Sequence, residues 1–321
     1  MDRQVSIVIP CFRSGKSLPL LIQAIAQEEQ LVKNGCEVIL VNDGSGDETF
    51  TVIEGLTRKY PFCRGIDLAK NCGQHNAILA GMACAKGRVI VCMDDDLQTH
   101  PSQIPVLLSK LCEGYDIVYG RFVHRQHSAS RNLCSRISEW SSRYLLNKPA
   151  QLRACPMFAI RRFIRDEVIR SESAYTNLLG LFLRTSGRIA NVDIVHHERP
   201  FGTSGYTLRK LIRLWASYLN YSMKPLHLLL SLGAFLFAAA VIWLAVLVVS
   251  DAWGSAGLLA AWMLLLCGVL LSGMGLLGEY LGRMFMVITK EPQYVVRADT
   301  GDTNEREDID SWRRQCADRP D

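Results

Sequence analysis

Short apolar runs alternate along the first half of the chain with longer stretches whose apolar residues recur every three to four positions. Residues 5–10 are a β-rich apolar run, and 37–41, 64–68, 88–93 and 116–119 read as further strands. Between them lie 17–30, 49–60, 76–85 and 102–112. In 17–30, Leu18, Leu21, Ile22 and Ile25 fall on one helical face. Such alternation predicts an α/β fold with a Rossmann-like, mainly parallel sheet. Ligands of these sheets bind beyond the carboxyl ends of the strands. Asn42-Asp43, Lys70-Asn71 and Asp94-Asp95-Asp96 each follow an expected strand. The pattern therefore gathers them around one cleft.

Beyond residue 225 the pattern changes to two apolar runs, 226–249 and 257–277. As helices they would be about 36 Å and about 31 Å long, against a hydrocarbon core of about 30 Å. A buried helical hairpin is the rival reading, and the lack of a polar face on either run weighs against it. The link 250–256 has no Lys or Arg, whereas Arg209, Lys210, Arg213 and Lys224 precede the first run and Arg283, Lys290 and Arg297 follow the second. The positive-inside rule places both flanks in the cytoplasm. Two basic amphipathic segments come earlier. Residues 131–147 carry Leu133, Ile137, Trp140 and Tyr144 on one face, which reads as packing against the domain itself. Residues 206–223 combine Trp215 with Arg209, Lys210 and Arg213 and lead into a span, which reads as a helix in the membrane interface.

The net charge is +5, but 298–321 holds eight acidic and four basic residues, −4, leaving +9 on the rest. A basic body beside apolar spans suits an anionic membrane surface or a phosphate substrate. Nucleic acid is the competing partner for that charge, and no nucleic-acid-binding motif supports it. Eleven cysteines, with no C-x-x-C pair, read as small buried hydrophobes in a reducing compartment. Residues 5–10 are too short for a signal peptide and read as a first strand.

The sharpest chemical feature is Asp94-Asp95-Asp96 after an apolar strand. Side chains at i and i+2 of an extended chain point the same way, so Asp94 and Asp96 can converge. Clustered carboxylates repel unless a cation neutralises them. Mg²⁺ or Mn²⁺ is the natural one, bridging to substrate phosphates.

The stretches VSIVIPCFRSGKSLP, ILVNDGSGDET, NCGQHNAILAGMACAKG and VCMDDDLQTHPSQIP resemble family 2 glycosyltransferases with the GT-A fold. HHERPFGTSGYT and SGMGLLGEYLGR extend the similarity to the polyprenyl-phosphate sugar transferases of that family, across residues 4–297. The resemblance implies a GT-A catalytic domain over 1–205, a juxtamembrane helix over 206–224, a transmembrane hairpin over 225–279 and a cytoplasmic segment over 280–321, disordered after about 298. It implies transfer of a sugar from a nucleotide sugar to a polyprenyl phosphate such as undecaprenyl phosphate, at the cytoplasmic face of a bacterial cell membrane. Pro10, Asn42, Asp43, Lys70, Asp94 and Asp95 would bind the nucleotide, with Gln98 near the sugar. Asp96, with Asp94, would hold the metal. Arg199, Ser204 and Tyr206 would meet the phosphates, assisted by Arg125. Gly273, Gly275 and Gly278 leave open both a homo-oligomer and close packing of the two spans.

The chain departs from the family pattern at four places. Phe12-Arg13-Ser14 stands for Y-N-E, Asn42 for the first Asp of D-D-G, Gly205 for a Lys, and Leu152 where an acidic base is expected. A lipid monophosphate is already largely dianionic near neutral pH, its second pKa being about 6. Such a nucleophile needs positioning more than deprotonation, so the missing base disfavours a hydroxyl acceptor. Glu139, Asp193 and Glu198 remain as alternative bases. The rival functions are a glycosyltransferase acting on a glycan or glycolipid hydroxyl and a degenerate membrane scaffold. A processive synthase fits less well, because Q-x-x-R-W is not found and two spans are few.

Overall fold

The computed structural model describes residues 4–122, 142–171, 176–195, 256–288 and 292–301, with four single helical positions between 231 and 242. Its centre is an eight-stranded sheet. The strands are β1 (Val5–Cys11), β2 (Cys36–Asn42), β3 (Cys63–Leu68), β4 (Val89–Cys92), β5 (Ile117–Phe122), β6 (Phe158–Arg161), β7 (Ile189–Ile194) and β8 (Val296–Asp299). Their order is β7-β5-β6-β4-β1-β2-β3-β8. β1 pairs in parallel with β2 and β4, β2 with β3, and β5 with β7. β1 and β2 are mostly apolar and buried at every residue, as expected of central strands covered on both faces, and the buried Ser6 donates to the buried Glu37.

The helices are α1 (Leu18–Gln27), α2 (Glu29–Lys33), α3 (Thr49–Lys59), α4 (Gln74–Cys84), α5 (Ile104–Cys112), α6 (Arg162–Val168), α7 (Leu178–Thr185) and α8 (Ala256–Ile288). On α1, Leu18, Leu21, Ile22 and Ile25 form the buried stripe read from the sequence. The single helix expected over 17–30 is broken at Glu28, where ψ of 74° leaves the helical region. α4 packs on β1 and β2, α3 on β3 and α5 on β5. At Gly81 of α4, a Cβ would press on Val8 and stand 3.0 Å from Val41 Cγ2, so this helix lies closer to the sheet than any side chain permits.

Three features extend the simple βα reading. β6 lies antiparallel between β4 and β5, so the sheet is mainly rather than wholly parallel. β7 extends the β5 edge. On the opposite edge the chain returns after α8, and β8 pairs antiparallel with β3. Arg64 forms a double hydrogen bond with Asp299, and Gly65 N donates to Thr300 Oγ1 at 2.8 Å. Asp299 and Thr300, which the sequence reading assigned to a disordered tail, thus belong to the sheet edge.

Counting only described residues, no helix is long and apolar enough to cross a membrane. The backbone of α8 runs unbroken for 33 residues and includes the expected second span. The expected first span, the helix over 206–223 and most of 131–147 lie outside the described residues, apart from the single positions noted above.

Candidate active site

Strand order reverses between β1 and β4, since β2 and β3 extend the sheet on one side of β1 and β4 begins the other. Parallel sheets open a crevice at such a switch point. The β1–β4 ladder ends at Val8–Cys92, so the two strand ends diverge there. Pro10, which has no N–H to donate, sits just past that last β4 pair. A cavity of about 310 Å³ opens at this point, lined by Pro10 and Cys11 from β1, Phe12 just after it, Asp43 after β2, Asn71, Gly73 and Gln74 before and at the start of α4, and Asp94, Asp95 and Asp96 after β4. Its size suits a small ligand.

Asp43 is buried, and its carboxylate accepts the amides of Cys72 at 2.7 Å and Gly73 at 3.0 Å. Asn71 Nδ2 returns a bond to the Asp43 carbonyl at 3.1 Å. These bonds shape the loop leading into α4. Burial pushes the Asp43 carboxyl above its ordinary pKa, and the two amides oppose that shift. Gly44 makes the close approach possible: its φ is +56°, and a Cβ would collide with the Lys70 carbonyl carbon and lie 2.6 Å from Asn71 N.

The three aspartates differ in their partners. Asp94 Oδ1 accepts from Gln74 Nε2 at 2.8 Å, and Asp96 Oδ1 accepts the Gln98 amide at 3.0 Å. Asp95 Oδ2 accepts the Ser14 hydroxyl and, at 3.4 Å, the Phe12 amide. Burial raises the Asp95 pKa, against the Ser14 and Phe12 hydrogen bonds. Asp95 therefore ties the β4 loop to the β1 loop. Among described residues, no three His, Cys, Asp or Glu side chains close into a metal cage. The open, all-oxygen set of Asp94 and Asp96 suits Mg²⁺ or Mn²⁺, which take one or two carboxylates and complete their shell with phosphate and water.

Pro10, Asp43, Asp94, Asp95 and Asp96, all expected from the sequence, share the cavity wall. Asn42 is buried behind it, donating to Asp67 Oδ1 at 2.7 Å and accepting from Ser45 Oγ at 2.6 Å. Lys70 is exposed and Gln98 half-buried, and neither lines the cavity. Arg125, Arg199, Ser204 and Tyr206 lie outside the described residues, as do Glu139 and Glu198. Asp193 is held by Arg121 through two bonds of 2.6 Å and 3.1 Å, which keep its carboxyl below the ordinary range. A carboxylate so paired is a poor base. Leu152 packs in the hydrophobic core, 4% exposed, away from the cavity wall. Phe12, Gly73 and Gln74 were not singled out from the sequence as site residues. Gln74 is the third residue after Asn71 within the quoted NCGQHN stretch, and that spacing was the available signal.

The cavity at the switch point, lined by Asp43 and by Asp94, Asp95 and Asp96, is a ligand site of an α/β enzyme fold. The chain belongs to glycosyl transferase family 2, whose family model matches residues 6–168. It is 33% identical over 305 residues to the undecaprenyl-phosphate 4-deoxy-4-formamido-L-arabinose transferase of Pectobacterium atrosepticum, covering 92% of this chain and 93% of that one. The enzyme of the same name from Yersinia enterocolitica is 33% identical over 308 residues, with 93% and 94% covered. Among solved structures, glucosyl-3-phosphoglycerate synthase of Mycobacterium tuberculosis shares the fold, with a TM-score of 0.51 and 18% identity over 68% of this chain and 81% of that one. A crystal structure of that synthase with Mn²⁺, uridine diphosphate and glucosyl-3-phosphoglycerate gives 0.50 and 18%, covering 68% and 80%.

Proposed function

We propose that this glycosyltransferase moves a sugar from a nucleotide sugar to a polyprenyl phosphate at the cytoplasmic face of the cell membrane. The observation that carries the donor half is the cavity at the switch point, where Asp94, Asp95 and Asp96 face the Asn71–Gln74 loop and Phe12. The names of the relatives matched over more than nine-tenths of both chains support an undecaprenyl phosphate acceptor.

Pro10, Phe12, Asp43 and Asn71 hold the nucleoside, with Asn42 behind them and Lys70 at the rim. Asp94 and Asp96 hold Mg²⁺ or Mn²⁺, which when bound neutralises charge on the departing diphosphate. Gln74 fixes the Asp94 carboxylate, and Asp95 fixes the loop that carries both ligands. Gln98 lies toward the sugar. Arg125, Arg199, Ser204 and Tyr206 bind the acceptor phosphate, whose oxygen attacks C1 in line and inverts it. That nucleophile is already ionised near neutral pH, its second pKa being about 6. A core leucine at position 152 and an Arg-bound Asp193 are therefore compatible with turnover.

Residues 206–224 lie in the membrane interface, and 225–279 form a hairpin of two spans, with 280–301 returning to the cytoplasmic domain. The apolar sequence over 257–277, within the helical backbone of α8, supports the second span. The 33 residues of α8 carry no charge before Glu279 and extend about 50 Å at 1.5 Å per residue.

The test is full-length protein in liposomes containing undecaprenyl phosphate, offered a panel of nucleotide sugars with Mg²⁺, Mn²⁺ or chelator. A lipid-linked sugar is expected, dependent on the cation. Asp96→Asn lowers turnover by about two orders of magnitude, the scale of losing a strong electrostatic contact in the transition state. Transfer to a glycan hydroxyl with none to the lipid phosphate refutes the acceptor assignment. Absence of any metal-dependent nucleoside diphosphate binding favours the scaffold reading.

A further inference from the structure

Behind the cavity wall, a chain of polar contacts runs from Asn42 to the strand that follows α8. Asn42 Nδ2 donates to Asp67 Oδ1 at 2.7 Å, and Asp67 Oδ2 lies 3.5 Å from Arg297 Nη1. Arg297 Nη2 donates to the Ala69 carbonyl at 2.6 Å, while the Ala69 amide donates to the Val295 carbonyl at 2.9 Å. Ala69 is thus gripped through both of its backbone groups. Asn71 and Gly73, two and four residues further on, line the cavity.

Attachment of β8 does not need Arg297. The Arg64–Asp299 pair and the Gly65–Thr300 bond staple the strand at its far end, and both are partly buried. The Arg297 side chain is 61% exposed and the Asp67 side chain 8%, and Asp67 keeps its Asn42 hydrogen bond when Arg297 is removed, so the cost to folding is modest. The Arg297 contacts bear instead on the segment that enters the cavity wall. The same cluster explains why position 42 is not the Asp of the D-D-G signature. A carboxylate there would stand about 2.7 Å from that of Asp67, and like charges at that range repel strongly.

We propose that Arg297 and Asp67 are positioning residues of the donor site. Together they set Asn42 and the segment from Ala69 to Gly73, so the strand after α8 is a working part of the nucleotide pocket. This rests on the donor reading of the cavity given above.

The experiment uses the full chain in detergent, titrated with a panel of nucleoside diphosphates in the presence of Mn²⁺. The best binder of the unaltered protein is carried forward to the variants. Arg297→Ala should weaken it about three- to tenfold, the worth of one charge-assisted contact. The melting temperature should fall by less than in Arg64→Ala, and Arg297→Lys should recover part of the affinity loss. Asn42→Asp should weaken binding more, and the double variant Asn42→Asp with Asp67→Asn should restore it by relieving the repulsion. Arg64→Ala is the contrast: it should lower the melting temperature more than Arg297→Ala does and weaken affinity less. Unchanged affinity in Arg297→Ala, or a melting-temperature loss without an affinity change, overturns the proposal. So does a double variant no better than Asn42→Asp. If the unaltered protein binds no nucleoside diphosphate, the donor reading itself is wrong and this inference falls with it.

Discussion

Gly44 and Gly46 make a matched pair for testing how the donor loop is built. Both have positive φ, +56° and +66°, so alanine at either position pays a backbone cost of about 1–2 kcal/mol for the left-handed region. They differ in their surroundings. A Cβ on Gly46 meets nothing within 4 Å, whereas one on Gly44 collides with the Lys70 carbonyl carbon and sits 2.6 Å from Asn71 N. Relief requires the 43–44 turn and the 70–71 segment to part by about 1 Å, the shortfall from ordinary contact near 3.5 Å. That displacement stretches the Asp43 bonds to Cys72 and Gly73, now 2.7 Å and 3.0 Å, and the Asn71 bond to Asp43, now 3.1 Å, past useful range. Three bonds at about 1 kcal/mol each bring the expected loss for Gly44→Ala to about 4–5 kcal/mol, against about 1–2 kcal/mol for Gly46→Ala. The assay is chemical denaturation of both variants in detergent, with nucleoside diphosphate affinity measured by calorimetry. Gly44→Ala should lose at least tenfold in affinity and Gly46→Ala almost none. Equal denaturation midpoints and equal affinities for the two variants would refute the reasoning.

Other outcomes follow from single contacts. Gly81→Ala should destabilise by about 1–3 kcal/mol through overpacking against Val8 and Val41, without changing the donor Michaelis constant. Burial pushes the Cys63 thiol up to about 12, so brief alkylation at pH 8 should mark exposed Cys112 and spare Cys63, as peptide mass mapping would show. The Asp193 carboxyl is held below its ordinary value by Arg121, so its stabilising contribution is present at neutral pH and lost as pH falls through its folded value. In Arg121→Ala the Asp193 titration should move upward, a shift readable by carboxyl NMR.

The first four strands were legible in the sequence because each is largely apolar, and α1 because it carries a regular buried stripe. β6 and β8 were not. Each has four residues, too few for a period to show, and β8 reads V-R-A-D inside a polar segment. What makes β8 a strand is the open edge of β3, a partner more than two hundred residues away. The donor wall was readable to the extent that its residues follow strands directly, as Asp43 and Asp94–Asp96 do. Ser14 reaching Asp95, and Asp67 reaching Asn42, are contacts across 81 and 25 residues that no local pattern encodes. Asn42 is the instructive case. Its position at the end of the expected strand suggested a pocket residue; it is the last residue of β2, buried, with side-chain bonds to Asp67 and Ser45, and is not among the residues that line the cavity.

The pairing of β3 with β8 also imposes an order on synthesis. Arg64 and its partner Asp299 are 235 residues apart in the chain. At about 5–20 residues per second, the ribosome needs about 10–50 s to supply the second after the first. Through that interval the outer edge of β3 presents unpaired backbone groups, the kind of surface that recruits stray strands. The last residues of the sheet emerge only after α8 has been made. The finished donor domain is therefore a late product of translation, and a chain stopped short of residue 296 would leave that edge open for its lifetime.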